Sequence, residues 1–194
     1  RLMGGYIEKI PKSLEKCLGR LQTLYLEVDF CAEIFKGLKH LRILILSNFV
    51  IKYLPNSIGK LKHLRYIDIS KTSIKTLPDS ISSLCLLQTL RVGHLKNLPK
   101  LFERLISLRH LYFQDAFYRS MNCMFIGISA LTQLRNLPFF VVSQSKRCLL
   151  EELGGLDNLT SQLCIYGLDG VNNKDEAKKA RLDNKSHISS LKFS

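Results

Sequence analysis

The sequence lacks tryptophan, has only 5 prolines among 194 residues, and contains no long apolar run. None of its apolar stretches approaches the roughly 18 residues that indicate a membrane span. The opening segment, RLMGGYIEKIPKS, has no apolar core of a secretory signal. It also has no initiator methionine and begins within a repeating pattern. We therefore expect a fragment, truncated at both ends, of a cytoplasmic protein without a membrane partner; a nuclear location is left open.

Motifs of catalysis and nucleotide binding are also missing. The sequence has neither G-x-x-x-x-G-K-[ST] nor G-x-G-x-x-G, so it lacks the two common phosphate-binding loops. Its five histidines show no metal-ligand spacing, and no Ser/His/Asp or Cys/His arrangement stands out. We predict that the chain is not an enzyme, that it has no catalytic or metal-binding residues, and that it holds no cofactor of its own.

The six cysteines are scattered, and none belongs to a C-x-x-C pair. A cytosolic protein keeps such thiols reduced, and buried ones pack as small apolar groups. We therefore expect all six to be reduced. They are Cys17, Cys31, Cys85, Cys123, Cys148 and Cys164.

Acidic residues are scarce relative to basic ones, with 16 Asp and Glu against 29 Lys and Arg and a net charge of +13. The imbalance is concentrated in residues 1–113, where 19 basic residues face 8 acidic ones. A basic surface of this kind favours an acidic partner. The basic residues are interleaved with an apolar pattern rather than gathered in a tail, and no nucleic-acid module is present. A protein partner is therefore favoured over nucleic acid.

An internal repeat dominates the chain. The frame L-x-x-L-x-x-L-x-L occurs six times, with its second leucine at positions 21, 41, 64, 87, 108 and 134. The steps are 20, 23, 23, 21 and 26 residues, close to the ~20–29 of leucine-rich repeats. A looser copy at 156–165 carries one extra residue, and ISSLKFS at the C-terminal end resembles a shortened copy.

Each copy combines two periods. The closing L-x-L has the period of a strand, whereas the following I-x-x-L-P-x-S-I-x-x-L has the three- and four-residue spacing of a helical return. Pro55, Pro78 and Pro99 suit the start of such returns, because proline fixes φ and lacks an N–H. One copy cannot bury its own leucines, so copies must stack. The predicted fold class is an α/β leucine-rich-repeat solenoid with a concave parallel sheet and short helical or 3₁₀ returns on the convex side.

The regularity of the copies divides the solenoid. We predict regular repeats over 1–113 and irregular, enlarged repeats over 114–194. The segment 115–123 is apolar and aromatic for a loop, which suits either an exposed contact or packing on the return side. Further on, NNKDEAKKAR fits a short helix capped by Asn173, with basic residues at its end.

Residues between the leucines of each strand should face solvent on the concave side. Aligned copies place five triplets side by side: Thr23-Tyr25-Glu27, Ile43-Ile45-Ser47, Tyr66-Asp68-Ser70, Thr89-Arg91-Gly93 and His110-Tyr112-Gln114. Neighbouring strands lie about 4.8 Å apart, so Asp68 and Arg91 are predicted to be adjacent. An aromatic, partly apolar face is typical of a binding surface, although strand propensity alone also selects such residues. The candidate partner-binding residues on this face are Tyr25, Ile45, Tyr66, Asp68, Arg91 and Tyr112.

A second column of candidates lies where the strands begin. KHLR occurs at 39–42 and again at 62–65, and the aligned entry positions are Gln22, Arg42, Arg65, Gln88, Arg109 and Arg135. Stacked like charges repel, and an acidic partner would relieve that repulsion. Alternatively, each arginine lays its aliphatic stem on the leucines with its head in water. The candidate basic residues are Lys39, Arg42, Lys62, Arg65 and Arg109.

Three segments carry a family resemblance. The stretch LKHLRILILSNFVIKYLPNSIGKLKHLRYIDISKTSIKTLPDSISSLCLLQTLRV resembles the repeats of plant intracellular nucleotide-binding, leucine-rich-repeat disease resistance proteins of the coiled-coil class. LTQLRNLPFFVVS and LEELGGLDNLTSQLCIYGLDGVNNKDEAKKARL are similar to the segment that follows those repeats. The resemblance covers nearly the whole chain, and NKDEAKKARL is its most specific part.

The resemblance implies recognition of pathogen molecules and autoinhibition in plant defence. It implies that the basic column packs on an acidic surface of the receptor's own nucleotide-binding module, and that the concave triplets contact a pathogen effector or a guarded host protein. Any ADP or ATP would belong to that module, elsewhere in the parent chain. The sequence departs from the pattern after the strands, where Phe49, Thr72 and Leu95 stand and only Thr72 has the expected polar side chain.

Two other functions fit the repeats. One is a cytosolic scaffold of the Ras-binding type, and the other is the substrate-recruiting arm of a ubiquitin ligase. Flanking sequence discriminates between them: an upstream phosphate-binding loop favours the immune receptor, an F-box favours the ligase arm, and neither favours the scaffold.

Overall fold

A computed structural model of the chain describes residues 6–7, 16–27, 29–30, 32–114, 126–143, 148–160, 162–171 and 173–193. The aromatic segment 115–123 lies outside these ranges. The described part contains ten short strands. They are Tyr6–Ile7 (β1), Thr23–Leu26 (β2), Asp29–Phe30 (β3), Ile43–Leu46 (β4), Tyr66–Ile69 (β5), Thr89–Val92 (β6), His110–Phe113 (β7), Phe139–Val141 (β8), Gln162–Tyr166 (β9) and Ser190–Phe193 (β10).

The strands pair in parallel and follow chain order, as stacked repeats require. β2, β4, β5, β6 and β7 form a five-stranded sheet, and β8, β9 and β10 form a three-stranded one. A parallel backbone bridge joins His110, at the start of β7, to Asn136, which precedes β8. β1 and β3 form a separate parallel pair. The C-terminal ISSLKFS supplies β10, with Leu191 opposite Leu163 and Phe193 opposite Ile165, in the register that the repeat frame predicts.

Short helical segments return the chain from one strand to the next. The 3₁₀ segments are Ala32–Gly37, Asn56–Lys60, Asp79–Ser83, Phe102–Arg104, Ile128–Ala130, Leu150–Gly155, Leu168–Gly170 and Leu182–Asn184. Pro55 and Pro78 immediately precede two of them, with φ of −71° and −70°. Pro99 does not play this part, because Phe102–Arg104 follows Leu101, which has φ 61°. The predicted α/β solenoid, with a parallel sheet on one side and short returns on the other, is confirmed.

The frame leucines form a continuous core between the strands and the returns. From the second copy to the sixth, the first, second and third frame positions are almost completely buried, as Leu38, Leu41 and Leu44 illustrate at 0% exposure, whereas Leu21 and Leu24 of the first copy are partly buried. Buried Ile58 and Ile81 face them from the returns. At about 1.5–3 kcal/mol for each fully buried Leu or Ile, this stacking is the main stabilising contribution.

The α-helix Lys174–Lys179 occurs where the sequence predicts it. The Asn173 side chain caps it by accepting a hydrogen bond from the Glu176 amide at 2.8 Å. Lys179, in the last turn, lies 3.1 Å from the Glu151 carboxylate of the preceding return. The helix thus packs on the return side of the solenoid.

The expectation that all six cysteines are reduced is wrong. Cys148 is completely buried and takes part in a disulfide. Cys17, Cys85 and Cys164 have free thiols. Cys31 and Cys123 lie outside the described residues.

Candidate functional site

The exposed face of the five-stranded sheet, here called the sheet face, has the register that the aligned copies predict. Tyr25 lies opposite Ile45, Ile45 opposite Asp68, Asp68 opposite Arg91, and Arg91 opposite Tyr112. One residue from each strand therefore contributes to a single row across the sheet. This row contains five of the six candidate residues on the face, and Tyr66 lies beside it at the start of β5.

Asp68 is the centre of a polar cluster on this face. Its Oδ2 lies 3.2 Å from Nε of Arg91 and accepts a 3.3 Å hydrogen bond from the Tyr66 hydroxyl. Its Oδ1 accepts hydrogen bonds from the Ser70 amide at 3.0 Å and the Ser70 hydroxyl at 2.6 Å. Partial burial, and then the Asp68 charge, raises the pKa of Tyr66, so this phenol stays protonated and donates.

Arg91 and Tyr112 extend the cluster across the next two strands. The guanidinium carbon of Arg91 lies 4.9 Å from the centre of the Tyr112 ring, within cation–π range. The Tyr112 ring in turn stacks on His110, with centroids 6.1 Å apart and an interplanar angle of 8°. Tyr66, Asp68, Arg91 and Tyr112 are thus joined by direct contacts. Tyr25 lies at the other end of the row, where its hydroxyl donates to Glu27 at 2.8 Å.

The second candidate surface, here called the edge column, consists of the residues immediately before each strand. Successive backbones join directly: the amide of Arg42 donates to the carbonyl of Gln22 at 2.7 Å, and that of Arg65 donates to Arg42 at 2.8 Å. The ladder continues through Gln88, Arg109 and Arg135 with distances of 2.7–2.8 Å. The backbone therefore fixes the arginines in one line at the strand entrances.

The arginine side chains of the edge column project into solvent. Arg42, Arg65, Arg109 and Arg135 are exposed, and no carboxylate of the described residues lies within ion-pair distance of them. Lys39 is exposed in the same way, whereas Lys62 donates from Nζ to the Ser83 carbonyl at 3.2 Å. Positive charge at this edge is therefore uncompensated within the described part of the chain.

Two histidines extend the basic edge beside its first arginine. The His40 and His63 rings lie 5.7 Å apart and belong to successive copies of KHLR. Together with Arg20, Gln22 and Arg42 they line a shallow concavity of about 310 Å³. The repeated histidines thus form part of the same basic surface.

Two exposed apolar residues interrupt the basic edge, and the sequence reasoning did not identify them. Leu86 and Ile106 are 45% and 58% exposed in the turns before β6 and β7. They occupy the turn positions at which the earlier copies have Lys39-His40 and Lys62-His63. The sequence does show the replacement of a polar by an apolar residue at these turn positions. Because the frame places these positions outside the core, that replacement could have indicated an exposed apolar patch. The edge therefore has an apolar centre with arginines on both sides, which resembles the anatomy of a protein interface.

Among the described residues, no group of three or more His, Cys, Asp or Glu side chains is placed to hold a metal ion. In the same residues no helix has the length and apolar character needed to cross a membrane.

Comparison with known proteins identifies the family. A family model described as a leucine-rich repeat region matches residues 13–194, which is nearly the entire chain. The chain belongs to this family. Leucine-rich repeats typically act as interaction scaffolds that bind proteins, and the matched family is not a catalytic one. No curated protein matches the chain.

Solved structures show the same leucine-rich-repeat fold. A leucine-rich-repeat protein of Leptospira interrogans superposes with a TM-score of 0.62 at 22% identity, over 95% of this chain and 52% of that one. Internalin C2 from Listeria monocytogenes superposes with a TM-score of 0.59 at 17% identity, over 93% of this chain and 84% of that one. This leucine-rich-repeat chain thus spans about half the length of the Leptospira protein. At these identities the likeness establishes the fold alone.

Proposed function

We propose that this chain is the recognition and autoinhibitory repeat region of a plant intracellular immune receptor of the nucleotide-binding, leucine-rich-repeat class. The edge column would dock on an acidic surface of the receptor's nucleotide-binding module. The sheet face would contact a pathogen effector or a guarded host protein. ADP or ATP would bind only to the module, and the cytoplasm would be the site of action, with the nucleus as a second location.

The observation that carries the docking role is the line of exposed arginines without carboxylate partners in the described chain. Neighbouring strands are about 4.8 Å apart, so Arg42 and Arg65 repel each other at close range. A protein gains nothing in its own fold from this arrangement. An acidic partner removes the repulsion and adds favourable pairing, which gives both orientation and a fast association rate.

The receptor assignment depends on the sequence resemblance, and the fold supports it only at the level of protein binding. The α-helix over Lys174–Lys179 lies within NKDEAKKARL, the most specific segment of that resemblance. Its capping by Asn173 and its ion pair with Glu151 give this segment a defined place on the return side. The segment is therefore packed as part of the solenoid. It also extends the sequence resemblance beyond the central repeats.

The test uses this chain and the region encoded upstream of it as two separately tagged polypeptides. We expect them to associate at low ionic strength and to dissociate at about 1 M salt, where the Debye length falls to about 3 Å. The triple variant Arg42→Glu, Arg65→Glu, Arg109→Glu should abolish association. In the joined chain it should also accelerate nucleotide exchange in the absence of an effector.

A matched control changes the charge equally at another place. Lys52→Glu, Lys75→Glu, Lys96→Glu alters three exposed lysines that lie after the strands rather than before them, and it should leave association intact. Equal loss in both variants would show a nonspecific charge effect and overturn the assignment of the edge column. An upstream region without a phosphate-binding loop would overturn the receptor assignment itself.

A further inference from the structure

A small concavity lies on the sheet face at the end of β5, β6 and β7. In the third position of the triplets, the three copies have Ser70, Gly93 and Gln114. Gly93 presents no side chain there, and its backbone lies so close to the preceding copy that a Cβ would be 2.8 Å from the Ser70 carbonyl oxygen. A cavity of about 270 Å³ lies at the ends of these three strands. It is lined by Ser70, Lys71, Arg91, Val92, Tyr112, Phe113 and Gln114.

Arg91 is held in place at the wall of this cavity from two sides. Asp68 lies 3.2 Å from its Nε, and the Tyr112 ring lies 4.9 Å from its guanidinium carbon. Asp68 is itself fixed by the Ser70 amide and hydroxyl. No other hydrogen bond or ion pair engages this guanidinium among the described residues. An arginine anchored at Nε can offer its terminal N–H groups to a ligand with little loss of conformational entropy.

The charges around the cavity favour one negative group. Asp68 balances Arg91, and Lys71 adds an exposed ammonium without an ion-pair partner in the described part of the chain. The cavity thus has one cation in excess. Its volume is below the ~300–1,000 Å³ of typical small-molecule sites, which suits a single side chain of a larger partner. The Gln114 amide and the Tyr112 ring supply a further donor and an aromatic wall.

We propose that the cavity at the ends of β5, β6 and β7 binds the carboxylate of an aspartate or glutamate side chain that projects from a protein lying on the sheet face. The carboxylate would accept hydrogen bonds from the terminal nitrogens of Arg91 and pair with the ammonium of Lys71. This inference deepens the proposed recognition role of the sheet face. It does not depend on the edge column.

The test measures binding of blocked amino acids to the chain by NMR, using the Arg91 Nε–H and Tyr112 ring resonances. The probes are the N-acetyl, N-methylamide derivatives of aspartate and glutamate, with those of asparagine and glutamine as uncharged analogues of the same shape. We expect saturable shifts with the acids and about tenfold weaker binding of the amides, because charge-assisted hydrogen bonds exceed neutral ones by roughly 1.4 kcal/mol. Equal binding of acids and amides would overturn the proposal.

Three substitutions separate the cavity from general charge effects. Arg91→Gln should abolish the response to the acids, and Lys71→Gln should weaken it severalfold. Lys75→Gln changes another exposed lysine and should leave it unchanged. Lys71 is exposed and makes no interaction in the described chain, so its variant stays informative even if Arg91→Gln disturbs the fold. Unchanged acid binding in the Lys71 variant would contradict the proposed geometry.

Two further results distinguish the carboxylate site from a phosphate site and from the edge column. A blocked phosphoserine that binds more tightly than both acids would replace the carboxylate with a phosphorylated side chain as the ligand, and would overturn the proposal as stated. The edge variant Arg42→Glu, Arg65→Glu, Arg109→Glu should bind the acidic probes normally. Failure of the probe experiment therefore leaves the docking role of the edge column untouched, and failure of the docking experiment leaves the cavity untouched.

Discussion

The Lys185 ammonium lies 3.5 Å from Oδ1 of Asp157, although Lys185 occupies the first leucine position of the repeat frame. Its side chain has no exposed surface, whereas that of Asp157 is 46% exposed. Arg181 approaches the other oxygen of Asp157 at 3.7 Å. Burial lowers the pKa of Lys185, and the Asp157 charge opposes that shift. The last described repeat thus replaces a core leucine with a buried lysine that pairs with a half-exposed aspartate.

Substitution of Asp157 and substitution of Lys185 should change the free energy of unfolding in different directions. Asp157→Asn leaves a buried ammonium without its counter-charge and should lower the free energy of unfolding by about 1–3 kcal/mol, less than for a fully buried pair because Asp157 is half exposed. Lys185→Met restores an apolar residue of similar length and should be neutral or stabilising. Urea unfolding of the two single variants and the double variant measures this.

The double variant decides between an ion pair and a general packing effect. It should match Lys185→Met, since the asparagine then has no buried charge to leave unpaired. Asp175→Asn is the control, because its surface pair with Lys178 at 3.9 Å should contribute less than about 1 kcal/mol. If Asp157→Asn proves as harmless as this control, the pair does not stabilise the repeat.

The frame predicted the strands and their register because two periods recur in every copy. It could not predict Lys185, since a lysine at a leucine position shows no partner in the sequence and Asp157 lies 28 residues away. The turn after β4 is similar. Phe49 stands at the expected polar position and is 64% exposed, while Asn48 reaches the Glu27 carbonyl at 2.5 Å and accepts from the Val50 amide. The polar side chain that bonds this turn is therefore Asn48, one residue before the position at which the aligned copies predict it.

The candidate site also contains features that the sequence predicted and features that it did not. Adjacency of Asp68 and Arg91 followed from the register alone, because parallel strands transfer the frame from copy to copy. Thr72 likewise bonds the turn, donating to the Ile69 carbonyl at 2.7 Å. The apolar centre at Leu86 and Ile106 and the cavity beside Arg91 were not predicted. Exposure and empty space depend on which neighbouring side chains cover a position, and a repeat frame contains no such information.

Close stacking of the returns should make Gly59 intolerant of even one methyl group. A Cβ at Gly59 would lie 2.6 Å from the Ser80 carbonyl oxygen of the next return, and backbone cannot move aside as a side chain can. We expect Gly59→Ala to lower the free energy of unfolding by about 1–3 kcal/mol, the usual effect of overpacking. Thermal and urea unfolding of the purified variant provide the measurement.

Gly19 supplies the matched control for this substitution. No heavy atom lies within 4 Å of a Cβ built there. Gly19→Ala should therefore be neutral or stabilising by up to about 1 kcal/mol, because it reduces the freedom of the unfolded chain. Similar stability changes at the two glycines would show that the returns are not packed as closely as the structure has them.

His110 should make stability depend on pH in a defined direction. Its Nδ1 is buried without a hydrogen-bond partner among the described residues, and burial lowers its pKa, with further lowering by the Arg135 and Arg109 charges. The unfolded chain, with a histidine pKa of about 6.5, then takes up a proton before the folded chain does. Above pH about 6.5, His110 is neutral in both states and does not affect the free energy of unfolding. As pH falls from there to the lower pKa of the folded chain, protonation of the unfolded chain lowers that free energy.

The variant His110→Gln should remove this component, so that its unfolding free energy falls less between pH about 7.5 and about 5.5 than that of the unaltered chain. His187→Gln changes an exposed histidine and should retain the component. Equal pH slopes in His110→Gln and the unaltered chain would show that burial and the two arginine charges together do not lower the pKa of His110. An acidic partner on Arg109 and Arg135 would neutralise two of the charges that lower this pKa. The His110 ring resonances should therefore titrate at higher pH in the complex than in the free chain.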